Sequence, residues 1–290
     1  MIQSKKYFSY LILGIFLFSE GCTNKSQYRT RSADGVKISF ETNGNGQPSI
    51  VFIHGWANNA SIWEEQIQYF SKKYQAVAVD LAGFGNSGND RKEWTMSSFG
   101  DDVVAVIDHL NLKQVVLVGF SMGGPVVIEA ANKISERVIG LVLVDNLQDV
   151  DMKYPPESYH YLDSVMMDLV TFPAPEKLEG IFYNKNPEAT FKRIVEMLQG
   201  GPRTGWRESL HENIRWNNED CDVALKKLQR PVLAINSDQQ PTNIDAFRKY
   251  VPSFQAMIIP DTGHVIFWDN PDEFSRLLEE SIQNFVENVE

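Results

Sequence analysis

The chain has 290 residues, 43% hydrophobic and 22% charged, enough to bury a sizeable core and too long for a small disulfide-stapled scaffold. Lysine and arginine number 27 against 38 acidic residues, and the net charge is −11. No basic stripe runs along the chain, which argues against duplex nucleic acid as a partner, because phosphate binding needs dense positive charge. The two cysteines, Cys22 and Cys221, allow at most one disulfide and no cysteine-built zinc cluster.

The N-terminus reads as a targeting segment. Lys5 and Lys6 precede Tyr7 to Phe18, an apolar run of 12 residues. That run is too short to span a ~30 Å hydrocarbon core as a helix and fits the apolar region of a secretory signal. Ser19-Glu20-Gly21-Cys22 follows, and its end resembles a bacterial lipoprotein signal, in which a small residue precedes a cysteine that becomes lipidated. Gly21 and Cys22 match that pattern; Ser19 and Glu20 depart from it. The resemblance implies residues 1–21 as an export signal and 22–31 as a polar tether with a lipidated Cys22. The protein would then be held at the cell envelope by this membrane anchor.

From residue 32 the chain alternates between two kinds of segment. Asp34-Gly35 marks a turn into VKISFE, and Asn43-Gly44-Asn45-Gly46 marks a second turn. The runs 49–55, 76–83, 115–121, 139–146, 232–238 and 256–261 are short and mostly rich in Val, Ile and Leu, as in strands buried on both faces. Helix-length segments at 59–73, 97–111, 122–134, 242–250 and 271–287 separate several of them. This alternation predicts an α/β fold with a mostly parallel, doubly wound sheet. The rhythm breaks over residues 147–228, which carry no strong strand and many Tyr, Met, Trp and Pro residues, and predict a mostly helical insertion between core segments 32–146 and 229–290.

One motif carries chemistry. Gly119-Phe120-Ser121-Met122-Gly123-Gly124 lies between the strand VVLVG and a helical segment. A tight strand-to-helix turn strains the backbone at its central serine and leaves room only for small residues two positions before and after it. Gly119 and Gly123 meet that need. The turn would lift the Ser121 hydroxyl to a helix N-terminus, where free N–H groups favour developing negative charge. A second glycine pattern, Gly83-Phe84-Gly85-Asn86-Ser87-Gly88, matches G-x-G-x-x-G but is followed by polar NDRKEWT rather than by a helix, so it does not read as a dinucleotide fingerprint.

With these residues the chain resembles an α/β-hydrolase over about residues 35–288. The resemblance implies Ser121 as nucleophile and His264, in Asp261-Thr262-Gly263-His264 after the last strand, as general base. The chain order of Ser121 before His264 agrees with that assignment. His54-Gly55-Trp56 resembles the family's oxyanion loop, so the N–H groups of Trp56 and Met122 would form the oxyanion hole, with His54 a structural hydrogen-bonder. The acid is less regular. Gln240 stands where the family's usual aspartate would be and cannot supply a negative charge. Asp145, 24 residues after Ser121 at the end of LVLVD, ranks ahead of Asp238 as the acid, with Asp149 behind both.

Trp56 and Phe120, which flank catalytic positions, are the expected substrate-binding residues, and the insertion would form a helical cap over an apolar pocket. No histidine pair has a metal-site spacing such as H-x-x-x-H, so no catalytic metal is expected, and the hydrolase resemblance implies no cofactor. The resulting expectation is a serine hydrolase, first of all an esterase acting on a small or medium carboxylic ester. A C–C bond or amide hydrolase, and a non-catalytic ligand-binding lipoprotein, remain as alternatives with the same residues.

Overall fold

The computed structural model describes residues 27–173, 187–199 and 203–288. The export signal and Cys22 lie outside the described residues. Eight strands form one sheet in the order β1-β2-β4-β3-β5-β6-β7-β8. They are β1 (Gln27–Arg31), β2 (Lys37–Asn43), β3 (Ser49–Ile53), β4 (Gln75–Asp80), β5 (Val115–Phe120), β6 (Val138–Val144), β7 (Val232–Ser237) and β8 (Gln255–Ile259). β2 runs antiparallel to β1 and β4, and every other pair is parallel. The expected α/β fold with a mostly parallel sheet is what forms.

β3, β5 and β6 are buried along their whole length, because helices cover both faces. The covering helices are α1 (Glu64–Phe70), α2 (Met96–His109), α3 (Gly123–Lys133), α9 (Ile244–Arg248), α10 (Ile266–Asp269) and α11 (Pro271–Glu287). In α11 the buried residues Phe274, Leu277, Leu278, Ile282 and Phe285 fall on one helical face. Pro271 opens the helix, and the Asn270 side chain caps it by accepting from the Glu273 N–H. Gly140 in β6 admits this helix: a Cβ there would stand 2.4 Å from the Phe285 ring.

One sequence expectation changes. Residues 27–31 are not tether but an edge strand, pairing Gln27 to Glu41 through Arg31 to Lys37. Its burial is slight, since β1 packs mainly through its backbone ladder, and a strand of that kind carries no apolar alternation to reveal it. As expected, the insertion is mostly helical among its described residues: ten residues without helix, 147–156, lead into α4 (Glu157–Tyr161), α5 (Met167–Thr171), α6 (Pro187–Gln199), α7 (Trp206–Arg215) and α8 (Cys221–Lys227). Wider, π-type turns at Leu162–Met166 and Trp216–Asp220 join α4 to α5 and α7 to α8. Among the described residues no helix is long and apolar enough to cross a membrane.

Candidate active site

The carboxyl ends of β3, β5, β6 and β7 open onto a cavity of about 810 Å³. Ser121 sits between β5 and α3 with φ 51°, a left-handed conformation that a non-glycine residue adopts at a cost. The neighbouring glycines explain how the turn closes. A Cβ on Gly119 would stand 2.4 Å from the Gly123 carbonyl oxygen, and one on Gly123 would stand 2.7 Å from that of Ile53. The turn is fastened to the next strand by the Ser121 N–H, which donates to the Val144 carbonyl at 3.1 Å.

Asp145 follows β6, also at positive φ (47°), and its side chain is 4% exposed. The Nδ1 atom of His264 lies 2.6 Å from Asp145 Oδ2. Asp145 Oδ1 accepts from the Ser237 backbone N–H and hydroxyl, each at 2.8 Å. Gln148 Nε2 also donates to Oδ1 at 3.4 Å, so three donors besides the imidazole hold this carboxylate. Ser121, Asp145 and His264 all line the one cavity.

Asp238 is exposed and accepts from the Asp261 backbone N–H at 3.2 Å, so it fastens the loop leading to His264 rather than the imidazole itself. On the other side of that loop, the Gly263 N–H donates to Asp269 Oδ2 at 2.7 Å. Asp149 caps a local turn by accepting from the Asp151 N–H. Gln240 lines the cavity.

Trp56 and Met122 lie on the cavity wall with Ser121. The Trp56 indole N–H donates to the Trp206 carbonyl at 2.7 Å, tying the β3 loop to α7. Phe120 also lines the cavity, though almost wholly buried, with its ring 4.7 Å from that of His264 between centroids, so it backs the imidazole. Ser237, Asn146 and Gln148 also face this site, and sequence reasoning had not singled them out. For Ser237 the signal was present: a hydroxyl at the tip of the strand beside LVLVD.

His54 does not face the reaction. It is fully buried, its Nδ1 bonds to the Gly55 carbonyl at 2.7 Å, and its Nε2 accepts from the Leu81 N–H at 3.1 Å. Burial pushes its pKa down from 6.5 to about 4. The folded state therefore holds the neutral ring while the unfolded chain protonates near 6.5. This contribution to stability is complete above that pH and is lost as pH falls towards 4. The difference is worth on the order of 3 kcal/mol. Thermal melts across this window should show His54→Asn less stable at pH 7 but with a shallower acid decline than wild type; parallel declines would contradict the assignment.

The GFGNSG loop has a structural reason. It wraps the buried Asp80, which accepts from the Ala60 and Asn86 N–H groups at 2.7 and 2.8 Å. A Cβ on Gly85 would stand 2.4 Å from that carboxylate. The next helix, α2, begins only at Met96. Of the other histidines, His109 and His160 are exposed and His211 pairs with Asp163 at 2.8 Å. Cys221 is buried, and burial pushes its thiol up to about 12, so it is inert as a nucleophile. Among the described residues no cluster suits a metal.

A family model described as alpha/beta hydrolase fold matches residues 48–271. A 3-oxoadipate enol-lactonase from Acinetobacter baylyi is 23% identical over 88% of this chain and 97% of its own length. A non-heme chloroperoxidase from Kitasatospora aureofaciens is 26% identical over 80% and 90%. Among solved structures, a thermophilic esterase from Thermogutta terrifontis superposes with a TM-score of 0.76 at 23% identity, covering 90% of this chain and 99% of its own. An esterase from Exiguobacterium antarcticum gives 0.77 at 21%, covering 89% and 100%. At such identities the superpositions speak for the fold.

Proposed function

The chain belongs to the alpha/beta hydrolase family, and from that premise we propose that it is a carboxylic ester hydrolase working through an acyl-enzyme on Ser121. The observation that carries this reading is the 2.6 Å contact of His264 Nδ1 with Asp145, in the cavity that Ser121 also lines. With Nδ1–H held by the carboxylate, Nε2 is free to take the Ser121 proton as Oγ attacks the ester carbonyl. The N–H groups of Trp56 and Met122 receive the oxyanion; one such donor is worth roughly 3–4 kcal/mol in the transition state. Collapse expels the alcohol, which leaves with the proton from His264. Water, deprotonated by the same ring, then attacks the acyl carbonyl, and the acid departs as Ser121 recovers its proton.

The cavity supports an uncharged substrate of medium size. Met166, Leu169, Met197, Leu198 and Leu210, all from the helices between β6 and β7, supply apolar wall, and these helices serve as the cap. Among the described lining residues there is no lysine or arginine, while Asp145 and Asp149 are both present. A substrate carboxylate would enter without a counter-ion, and an unpaired buried charge costs several kcal/mol. A panel of p-nitrophenyl esters tests this. The hexanoate should exceed the hexanedioate monoester in kcat/KM by about 10² or more. Equal rates, or preference for the anionic ester, would sink the substrate assignment; no hydrolysis of any activated ester would sink the enzyme.

A further inference from the structure

Asn146 follows Asp145 at the tip of β6 and is 7% exposed. Both of its chain neighbours, Asp145 and Leu147, have positive φ, at 47° and 50°. Its Nδ2 donates to the Gly119 carbonyl at 2.8 Å and to the Val144 carbonyl at 3.0 Å. Gly119 lies two residues before Ser121 on β5, and Val144 immediately precedes Asp145 on β6. The Val144 carbonyl also takes the Ser121 N–H. One oxygen therefore holds both the nucleophile's backbone and the Asn146 amide.

The other end of the amide is held by packing. Asn146 Oδ1 is buried without a hydrogen-bond partner, a desolvation cost that an alanine would not carry. It occupies the space a side chain at position 124 would need, for a Cβ on Gly124 would stand 2.2 Å from it. Gly124 is in the first turn of α3, the helix that begins two residues after Ser121.

We propose that Asn146 is a positioning residue that braces the Ser121 turn against the strand bearing Asp145. A strained turn keeps its geometry only where its surroundings over-determine it. The brace works because the acid lies at the tip of β6, directly beside the nucleophile strand β5, so that one short side chain reaches both. An acid borne on β7 would be one strand too far. The inference rests on the acyl-enzyme reading above, with Asn146 acting through the placement of Ser121 Oγ relative to His264.

The test compares Asn146→Ala, Asn146→Asp, Gly124→Ala and the Gly124→Ala/Asn146→Ala double variant in the full chain. Three quantities are read: kcat and KM on p-nitrophenyl butyrate, the rate of Ser121 labelling by a fluorophosphonate, and the melting temperature. Asn146→Ala should lower kcat and labelling roughly 30-fold with KM within about threefold, since an ångström of misplacement can cost ~10². Asn146→Asp, which turns an acceptor towards two carbonyls, should fall at least as far. Gly124→Ala should fall by about 10², because its methyl displaces the Asn146 amide.

The double variant should recover to the level of Asn146→Ala alone, because the obstructed group is gone. Losses that multiply in the double variant would overturn the brace. So would an Asn146→Ala protein that melts lower yet keeps wild-type kcat. If Gly124→Ala does not fold, the two Asn146 variants decide by the same kcat and labelling criteria. A wild type that neither labels nor hydrolyses overturns the acyl-enzyme reading and the brace together; a labelled wild type with unaffected variants overturns the brace alone.

Discussion

Asp145→Asn is expected to lower kcat by about 10⁴, while Asp238→Asn leaves it within a few-fold. The first effect follows from how Asp145 is held. Ser237 aims two donors at Oδ1, one from its backbone and one from its hydroxyl. An asparagine in the same place would turn its oxygen to those donors and its NH2 towards His264 Nδ1. The imidazole would then have to accept at Nδ1 and carry its proton on Nε2, where it cannot receive the proton of Ser121. The shape of the site would persist and its tautomer would be wrong. Asp238 makes no contact with the ring and holds Asp261 from an exposed position. Steady-state kinetics on both variants separates the two acids; a large loss in Asp238→Asn with turnover retained in Asp145→Asn would reverse the assignment.

Ser121→Ala is expected to cost more, roughly 10⁵ to 10⁶ in kcat, and to leave substrate binding nearly unchanged. Adding His264→Ala to it should cost little further, because the base has nothing to activate once the hydroxyl is gone. Folding should survive, since alanine keeps the Cβ and the turn is held by backbone contacts and by the close approach of Gly119 to Gly123. A variant within tenfold of wild type on an activated ester would place the nucleophile elsewhere.

Much of this was legible in the sequence, for identifiable reasons. The buried strands announce themselves because a parallel sheet covered on both faces must be continuously apolar. The Ser121 turn announces itself because backbone contact at Gly119 and Gly123 leaves no room for a side chain. Asp145 could be ranked first from its place at a strand end, but only the fold brings it to 2.6 Å from His264, across 119 residues of chain. β1 was hidden because an edge strand held by its ladder needs no apolar pattern. Asn146 was hidden for another reason: an asparagine after a strand reads as an ordinary turn residue, and its role depends on two carbonyls that meet only in three dimensions. Ser237 lies between these cases, visible as a hydroxyl at a strand tip but without a partner until β6 and β7 pair.

The central claim is that Ser121, activated by His264, is the group that takes the acyl chain. Intact-mass analysis and peptide mapping after a fluorophosphonate is added to the full chain test it most directly. The account predicts one adduct per chain, on the peptide containing Ser121, absent from Ser121→Ala and slowed in His264→Ala. Labelling that persists in Ser121→Ala, or a wild type that takes up no label, would contradict it.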